Sequence, residues 1–569
     1  MDKKFAKILA LLLAVSLLLA GCGPMAQEAP AGLEDGETFD DIEYSRPDIG
    51  QMEQAVARLG ESLEKLSLPS TLREEIEACY DCYYNYDTML SLADIRNCQD
   101  LSDEFYMEEY AWCLENRPRV QQLMDQMYMS CAQSMYAPLM ETFFFWDGFM
   151  SQYGGEEAES MPEEIYRLYR RENELINQYR SLIAQPSVEL DGQSLNYQES
   201  LAAAGEEEAY RLIQAYYEQY DLLLGEIYAQ LVSIRRQQAE LLGYDSYEQM
   251  EYSLVYERDY SPEQALEYLE DIKEYMAPLY RQLMEEEAYS LISWEYMPQE
   301  RLLEILAGAA SGMGEGIGES FSFMDRHRLY DIQLRPNKAD ISFQAYLSDY
   351  EAPFLFLSPY GDQSDVLSLA HEFGHFTDAY INYNAYETTD LAECFSQAME
   401  YLVLFYLEGS MEEEQVQELT FYKALSTLEL YLGQAAIARF ESLVFSLPDE
   451  ELNTDNINRL YLETCTEYGL CDGSSQEQGW GWIDISHLFE SPFYVISYPV
   501  TNDIAMQIFS LELEQQGLGL EKFMDMLPRT YDSLMPTVEA AGLESPFSRD
   551  RIARVTECLE SVLESVKKF

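Results

Sequence analysis

The sequence predicts a mainly α fold with one small β element, and three observations lead there. Apolar residues recur at helical spacing from Arg46 almost to the C-terminus. That rhythm gives way to short β-rich runs only between Arg328 and Ser358, directly before a helix that carries two histidines. Hydrophobic content of 47% and aromatic content of 13% over 569 residues are globular values, enough for one large core or several smaller ones.

The first 21 residues read as a targeting segment. Lys3, Lys4 and Lys7 precede an apolar run, Ile8 to Leu19, that is shorter than the ~20 residues a membrane span needs. It ends in Leu19-Ala20-Gly21-Cys22, which resembles the lipobox of bacterial lipoproteins. That resemblance implies cleavage before Cys22, a lipid on Cys22, and a mature protein held outside the cytoplasm on the cell membrane. Residues 22–45 are acidic and read as a flexible tether, residues 46–260 as an N-terminal helical part, and residues 261–569 as the part bearing the chemistry.

Met52, Ala55, Val56 and Leu59 share a helix face that ends before Pro69. Further amphipathic stretches are predicted at about residues 70–95, 102–145, 160–185 and 200–242. Ser261-Pro262-Glu263-Gln264 is a helix start, with a serine cap, proline at the first position and glutamine at the third. This helix is expected to reach about Leu291. Leu329–Leu334, Ile341–Leu347 and Phe354–Leu357 are the expected strands, and a new helix is expected at Ser364. Helices then resume, with breaks near Gly409, from Asp472 to Gly481 and near Pro546.

Charge excludes one class of function. Against 35 Lys plus Arg stand 104 Asp plus Glu, a formal net charge of −69 that repels phosphate backbones and rules out nucleic acid as a partner. Its plain reading is a solvated surface; steering of cationic substrates, or adaptation to salt, is the alternative. Ten cysteines are present, nine once Cys22 is set aside. Cys79 and Cys82 have zinc-knuckle spacing without a second pair, on a helical segment, and read as core residues.

The chemistry centres on His371-Glu372-Phe373-Gly374-His375, an H-E-x-x-H pattern in a chain with only four histidines. Two histidines four apart lie one above the other on a helix, so both imidazoles can reach one zinc ion. Glu372 lies beside them, where it can take a proton from water. A third ligand is needed. The metzincin pattern is absent, because positions 378 and 381 hold Asp378 and Ile381. A following run from Thr388 to Glu400 places Glu393, Ser396, Gln397 and Glu400 on one helix face.

These residues resemble the thimet oligopeptidase and oligoendopeptidase F family of zinc peptidases. The metal helix of that family commonly reads H-E-x-G-H, as here, and its third ligand is the first glutamate of a segment matched by Glu393, Ser396 and Glu400. Tyr330 to Lys338, Ala352 to Phe356 and Asp365-Val366 resemble the family's stretch before the metal helix. His487 with Phe493 to Tyr498 resembles its histidine-and-tyrosine segment, and Ala541 to Phe547 also matches. The resemblance spans residues 261–547. It implies one zinc ion on His371, His375 and Glu393, with Glu372 as general base and His487, Tyr494 or Tyr498 stabilising the oxyanion. It also implies two helical halves around a channel that admits short, unstructured peptides.

Metal-assisted endopeptidase chemistry at the cell surface is therefore the expected function. A carboxypeptidase or dipeptidase would use the same helix pair, and a peptide-binding surface lipoprotein of this fold, catalytically weak or inactive, is the alternative from another class. Phe354 to Leu357 is the strand expected to pair with an extended peptide.

Overall fold

The computed structural model describes residues 32–33, 36–65, 67–145, 149–153, 163–184, 186–293, 295–383, 388–528 and 531–566. The signal segment 1–21, Cys22 and part of the tether lie outside them. Among the described residues helices dominate and strands are few, as the periodicity predicts. No described helix is long and apolar enough to cross a membrane. The nine described cysteines are free thiols, with Cys79 fully buried.

The chain forms two compact units, each assembled from separate segments: Met1–Ser160, Glu315–Gly361 and Ala379–Ala385 in one, and Met161–Gly314, Asp362–Asp378 and Tyr386–Phe569 in the other. In the first unit, Asp48 caps a helix at Ile49–Glu64 by accepting from Gln51 N. Its buried face, Met52, Ala55, Val56, Leu59 and Leu63, is the one the sequence predicts. It shares a core with Leu72 and Ile76 of helix Pro69–Gln99 and with Leu123 and Met127 of helix Glu104–Ala132.

The second unit contains a hairpin of two strands, β1 (Ser187–Leu190) and β2 (Gln193–Asn196). The periodicity reading passed over it. Asp191 and Gly192 both have positive φ, 53° and 78°, the backbone a two-residue hairpin turn requires, and Asp-Gly is its usual sequence.

The first unit also holds the predicted small sheet, of β3 (Tyr330–Asp331), β4 (Phe343–Leu347) and β5 (Ala352–Phe356), in the order β3-β5-β4. Strand β3 is shorter than expected because Asp331 Oδ1 accepts from Gln333 N at 3.2 Å and turns the chain. The Asp331 carboxylate also takes bonds from Gln99 Nε2 at 2.7 Å and Lys338 Nζ at 2.8 Å. Burial alone would raise its pKa, but Arg335 and Lys338 prevail and hold it at about 2.

One expectation fails here. Strand β5 is central: it pairs with β3 in parallel and with β4 antiparallel along its whole length, and every residue of it is buried. From Phe354 to Leu357 both sides are occupied, by Leu329 and Asp331 on one and by β4 on the other, so this run is not an edge that could receive a peptide.

In the second unit the predicted capping box at Ser261 forms, with Ser261 and Gln264 exchanging side-chain and backbone bonds. The helix ends at Glu285 and not near Leu291, because Glu287 takes a left-handed conformation (φ 52°) before a short 3-10 turn. Long helices at Glu163–Ala184, Glu206–Leu242 and Glu413–Phe445 bury Leu175, Tyr228, Leu231 and Phe440 in one core. The helices that matter for chemistry are Asp365–Asn382, its residues to Asp378 belonging to this unit, and Thr389–Val403, which packs against Ser497–Glu514.

Candidate metal and catalytic centre

His371 and His375 stand one turn apart on helix Asp365–Asn382, with ring centroids 5.0 Å apart. The facing helix, Thr389–Val403, supplies Glu393. What allows the two helices to meet is Gly374. A Cβ there would lie 2.6 Å from the Cα of Ser396 and 2.8 Å from the carbonyl oxygen of Phe395, which is backbone that cannot rotate away. One ligand atom from each of His371, His375 and Glu393 falls within 4.8 Å of the others, and His371 Nε2 lies 3.9 Å from Glu393 Oε2.

A second layer fixes the first. His371 Nδ1 is bonded to Glu400 Oε1 at 2.8 Å, leaving Nε2 to face Glu393. Glu400 Oε2 accepts from Lys423 Nζ at 2.7 Å, and that ammonium lies 4.4 Å from the Tyr401 ring centre. Burial raises the pKa of Glu400, but Lys423 and His371 outweigh it and hold the carboxyl at about 2. The same pair acts on His371 in reverse: burial lowers its pKa, the Glu400 bond wins, and the imidazole rises to about 9. His375 has no such partner, and burial with the neighbouring His371 charge depresses it to about 3.

Glu372 is buried between these charges. Burial raises its pKa most, His371 opposes, Glu393 and Glu400 add to the rise, and the carboxyl stands at about 7. A carboxylate poised near neutrality can both take and return a proton. Its Oε2 is buried without a hydrogen-bond partner, and so is Oε2 of Glu393.

The third group of predicted residues also gathers here. His487 lies on the short helix Ser486–Glu490, and its ring centre is 5.2 Å from that of Tyr494 and 6.2 Å from that of Tyr498. The Tyr494 hydroxyl donates to Glu393 Oε1 at 2.9 Å, so it is committed to the ligand carboxylate. Tyr498 makes no such bond to the ligand carboxylate, and it stays with His487 and Tyr494 among the candidates for an oxyanion donor. Buried side chains hold this segment by its backbone: Arg235 donates to the carbonyls of Leu488 and Phe489, Tyr256 to that of Pro492, and Tyr268 to that of Pro499. Glu441 accepts from Phe493 N at 2.8 Å, where the chain turns through a positive φ of 60°.

The residues fit zinc. Two imidazole nitrogens and one carboxylate oxygen are its usual donors at a catalytic site, and three protein ligands leave a position open. The unpartnered buried Oε2 of Glu393 is the kind of atom a cation satisfies.

Two sequence profiles match the chain. One described as the peptidase M3 N-terminal domain matches residues 39–145, and one described as peptidase family M3 matches residues 321–527. The chain belongs to peptidase family M3. It is a peptidase, and members of family M3 are in general zinc metallopeptidases. Comparison with curated proteins finds no match. Among solved structures, this M3 chain is similar in fold to a provisionally named oligoendopeptidase F, at 22% identity and a TM-score of 0.76, over 93% of this chain and 99% of that one. PZ peptidase A with a bound inhibitor matches at 20% and 0.76, over the same shares. A provisionally named oligoendopeptidase F from Bacillus anthracis strain Ames matches at 20% and 0.73, over 94% and 99%.

The sequence places Glu400 on the face of Glu393 without giving it a role, and nothing in it marks Lys423, Arg235 or Glu441. Their roles depend on contacts between distant segments, for which a single sequence carries no signal.

Proposed function

We propose that this M3 peptidase is a zinc-dependent endopeptidase of the oligopeptidase type that cleaves short, unstructured peptides at the outer face of the cell membrane. The observation that carries the reading is geometric: His371, His375 and Glu393 bring their ligand atoms within 4.8 Å of one another, with the buried carboxyl of Glu372 next to His371 on the same helix. Zinc, when bound, supplies a Lewis acid and makes water a nucleophile at neutral pH. Glu372 takes the proton of the attacking water and returns it to the leaving amine nitrogen. The Tyr498 hydroxyl donates to the carbonyl oxygen as negative charge develops on it. Tyr494 keeps Glu393 in place, and Glu400 keeps Nε2 of His371 turned inward.

The test is Glu372→Gln beside Glu393→Ala. The first keeps shape and hydrogen bonding, so it should retain one zinc per chain while kcat falls about 10²–10⁴-fold. The second should lose zinc and activity together. Zinc loss in Glu372→Gln, or full turnover, would sink the mechanism; zinc-loaded native protein that binds peptides without cleaving them would support the binding lipoprotein instead. Mapping the products of end-blocked peptides separates endopeptidase from carboxypeptidase action.

The surface location rests on the Lys-rich start, the apolar run and Leu19-Ala20-Gly21-Cys22. Cys22→Ala should leave unprocessed precursor or released protein. Unchanged membrane fractionation and gel migration of that variant would overturn the anchor.

A further inference from the structure

Arg258 is a fully buried charge. Its side chain is completely inaccessible, and a guanidinium in such a place must be matched by acceptors and opposite charge. Aromatic faces supply much of the match, while Nε and Nη1 make no hydrogen bond among the described residues. Tyr252, Tyr256 and Tyr260 recur every four residues, and their ring centres lie 4.4, 4.4 and 5.7 Å from its guanidinium carbon. A π-helical turn at Glu251–Val255 and a positive φ of 47° at Glu257 fold the chain back, with Arg258 N donating to Tyr252 O at 2.7 Å.

What the guanidinium reaches is more informative than what encloses it. Its Nη2 donates to Ser497 Oγ at 2.8 Å and to the Tyr494 carbonyl at 3.3 Å, inside the segment that carries both tyrosines. Its Nε stands 3.7 Å from Oδ1 of Asp390, a buried carboxylate on the helix of Glu393; the two form an ion pair without a hydrogen bond, and neither Nε nor the carboxylate has another hydrogen-bond partner among the described residues. Asp390 precedes Glu393 by three residues, and Glu393 accepts the Tyr494 hydroxyl. Arg258 thus joins the two sides of the site: hydrogen bonds hold the Tyr494–Ser497 backbone, and charge attraction alone faces Asp390 on the helix whose Glu393 accepts the Tyr494 hydroxyl.

We propose that Arg258 is a positioning residue for the peptidase reaction, locking the Tyr494–Tyr498 segment to the Glu393 helix so that the Tyr498 hydroxyl meets the scissile carbonyl. The assignment rests on the peptidase reading above. It acts on the transition state and not on peptide capture, because an oxyanion donor displaced by about 1 Å loses on the order of 10²-fold in rate while the peptide still binds.

The experiment is a mutant cycle of Arg258→Lys with Tyr498→Phe, measured on an internally quenched peptide, with zinc content and melting temperature recorded for each protein. Lysine keeps the charge beside Asp390 but not the fork that spans Ser497 and Tyr494. Arg258→Lys should hold one zinc per chain and keep KM within about threefold, while kcat falls about 10–100-fold. Tyr498→Phe should then cost much less in the lysine background than alone, because the donor is already misplaced. Should Arg258→Lys fail to fold, the pair Arg258→Met with Asp390→Asn removes both buried charges and carries the same cycle. Native kcat in a folded variant, or effects of the two changes that simply multiply, would overturn the proposal. So would unfolding of both variants, which would assign Arg258 to stability alone. Failure of the zinc-loaded native chain to cleave any peptide is a different result and overturns the peptidase reading with it.

Discussion

At the scale of residues, the centre separates groups that the sequence spells out from groups that only the fold reveals. His371, Glu372 and His375 are legible because helix geometry alone puts them together. Glu393 and Glu400 share a face one turn apart twice over, so spacing cannot say which of them faces the metal. The structure divides the work: Glu393 turns toward His371 Nε2, and Glu400 sits behind His371 with Lys423 as its counter-charge. This predicts a specific phenotype for Glu400→Gln. Glutamine can still accept from Nδ1, but it brings no charge to polarise the imidazole, so zinc affinity should fall about 10–100-fold. Competition with a fluorescent chelator measures it. Complete loss of zinc would make Glu400 a ligand, and unchanged affinity would mean the His371–Glu400 bond does not tune the site.

At the scale of elements, local signals are legible in the sequence and topology is not. The capping box at Ser261 is a four-residue property, and it formed as written. Whether a strand is central or at an edge depends on which segments flank it, so the apolar run at Phe354 could be recognised as a strand but not placed between β3 and β4. Gly374 belongs to the same class. Its presence between the two histidines is visible in sequence, but its reason is the crossing of helices Asp365–Asn382 and Thr389–Val403. Gly374→Ala should force the helices apart, since the added methyl meets Ser396 Cα and Phe395 O and both are backbone. Overpacking of this kind costs about 1–3 kcal/mol, and it should also pull Glu393 from the histidines. Melting with and without zinc distinguishes the two consequences: the metal-free protein should melt lower, and the rise in melting temperature on adding zinc should shrink. A variant that melts lower but gains the native rise would show that the crossing supports the fold without setting the ligand geometry.

At the scale of the whole molecule, the dominant fact is charge. With a formal net of −69, carboxylates repel one another at every distance the solvent does not screen. Attractive pairs exist, such as Arg211 with Asp191 at 2.8 Å and Arg459 with Glu463 at 2.9 Å, but they are exposed and screened by solvent, so each contributes little. Cations are too few to pair most of the acids, so repulsion should exceed attraction in the folded chain. The Debye length falls from about 30 Å at 0.01 M salt to about 8 Å at 0.15 M. Screening over that interval removes the long-range repulsion first, and the melting temperature of the zinc-loaded protein should therefore rise with sodium chloride. Substrate capture should respond in the opposite sense, because the same field draws in cationic peptides: kcat/KM for a lysine-rich peptide should fall with salt, while that for a neutral peptide of equal length stays level. The two measurements check one another. A melting temperature that falls with salt would mean that the ion pairs outweigh the repulsion. Equal salt responses for the two peptides would mean that the acidity solvates the protein without steering its substrates.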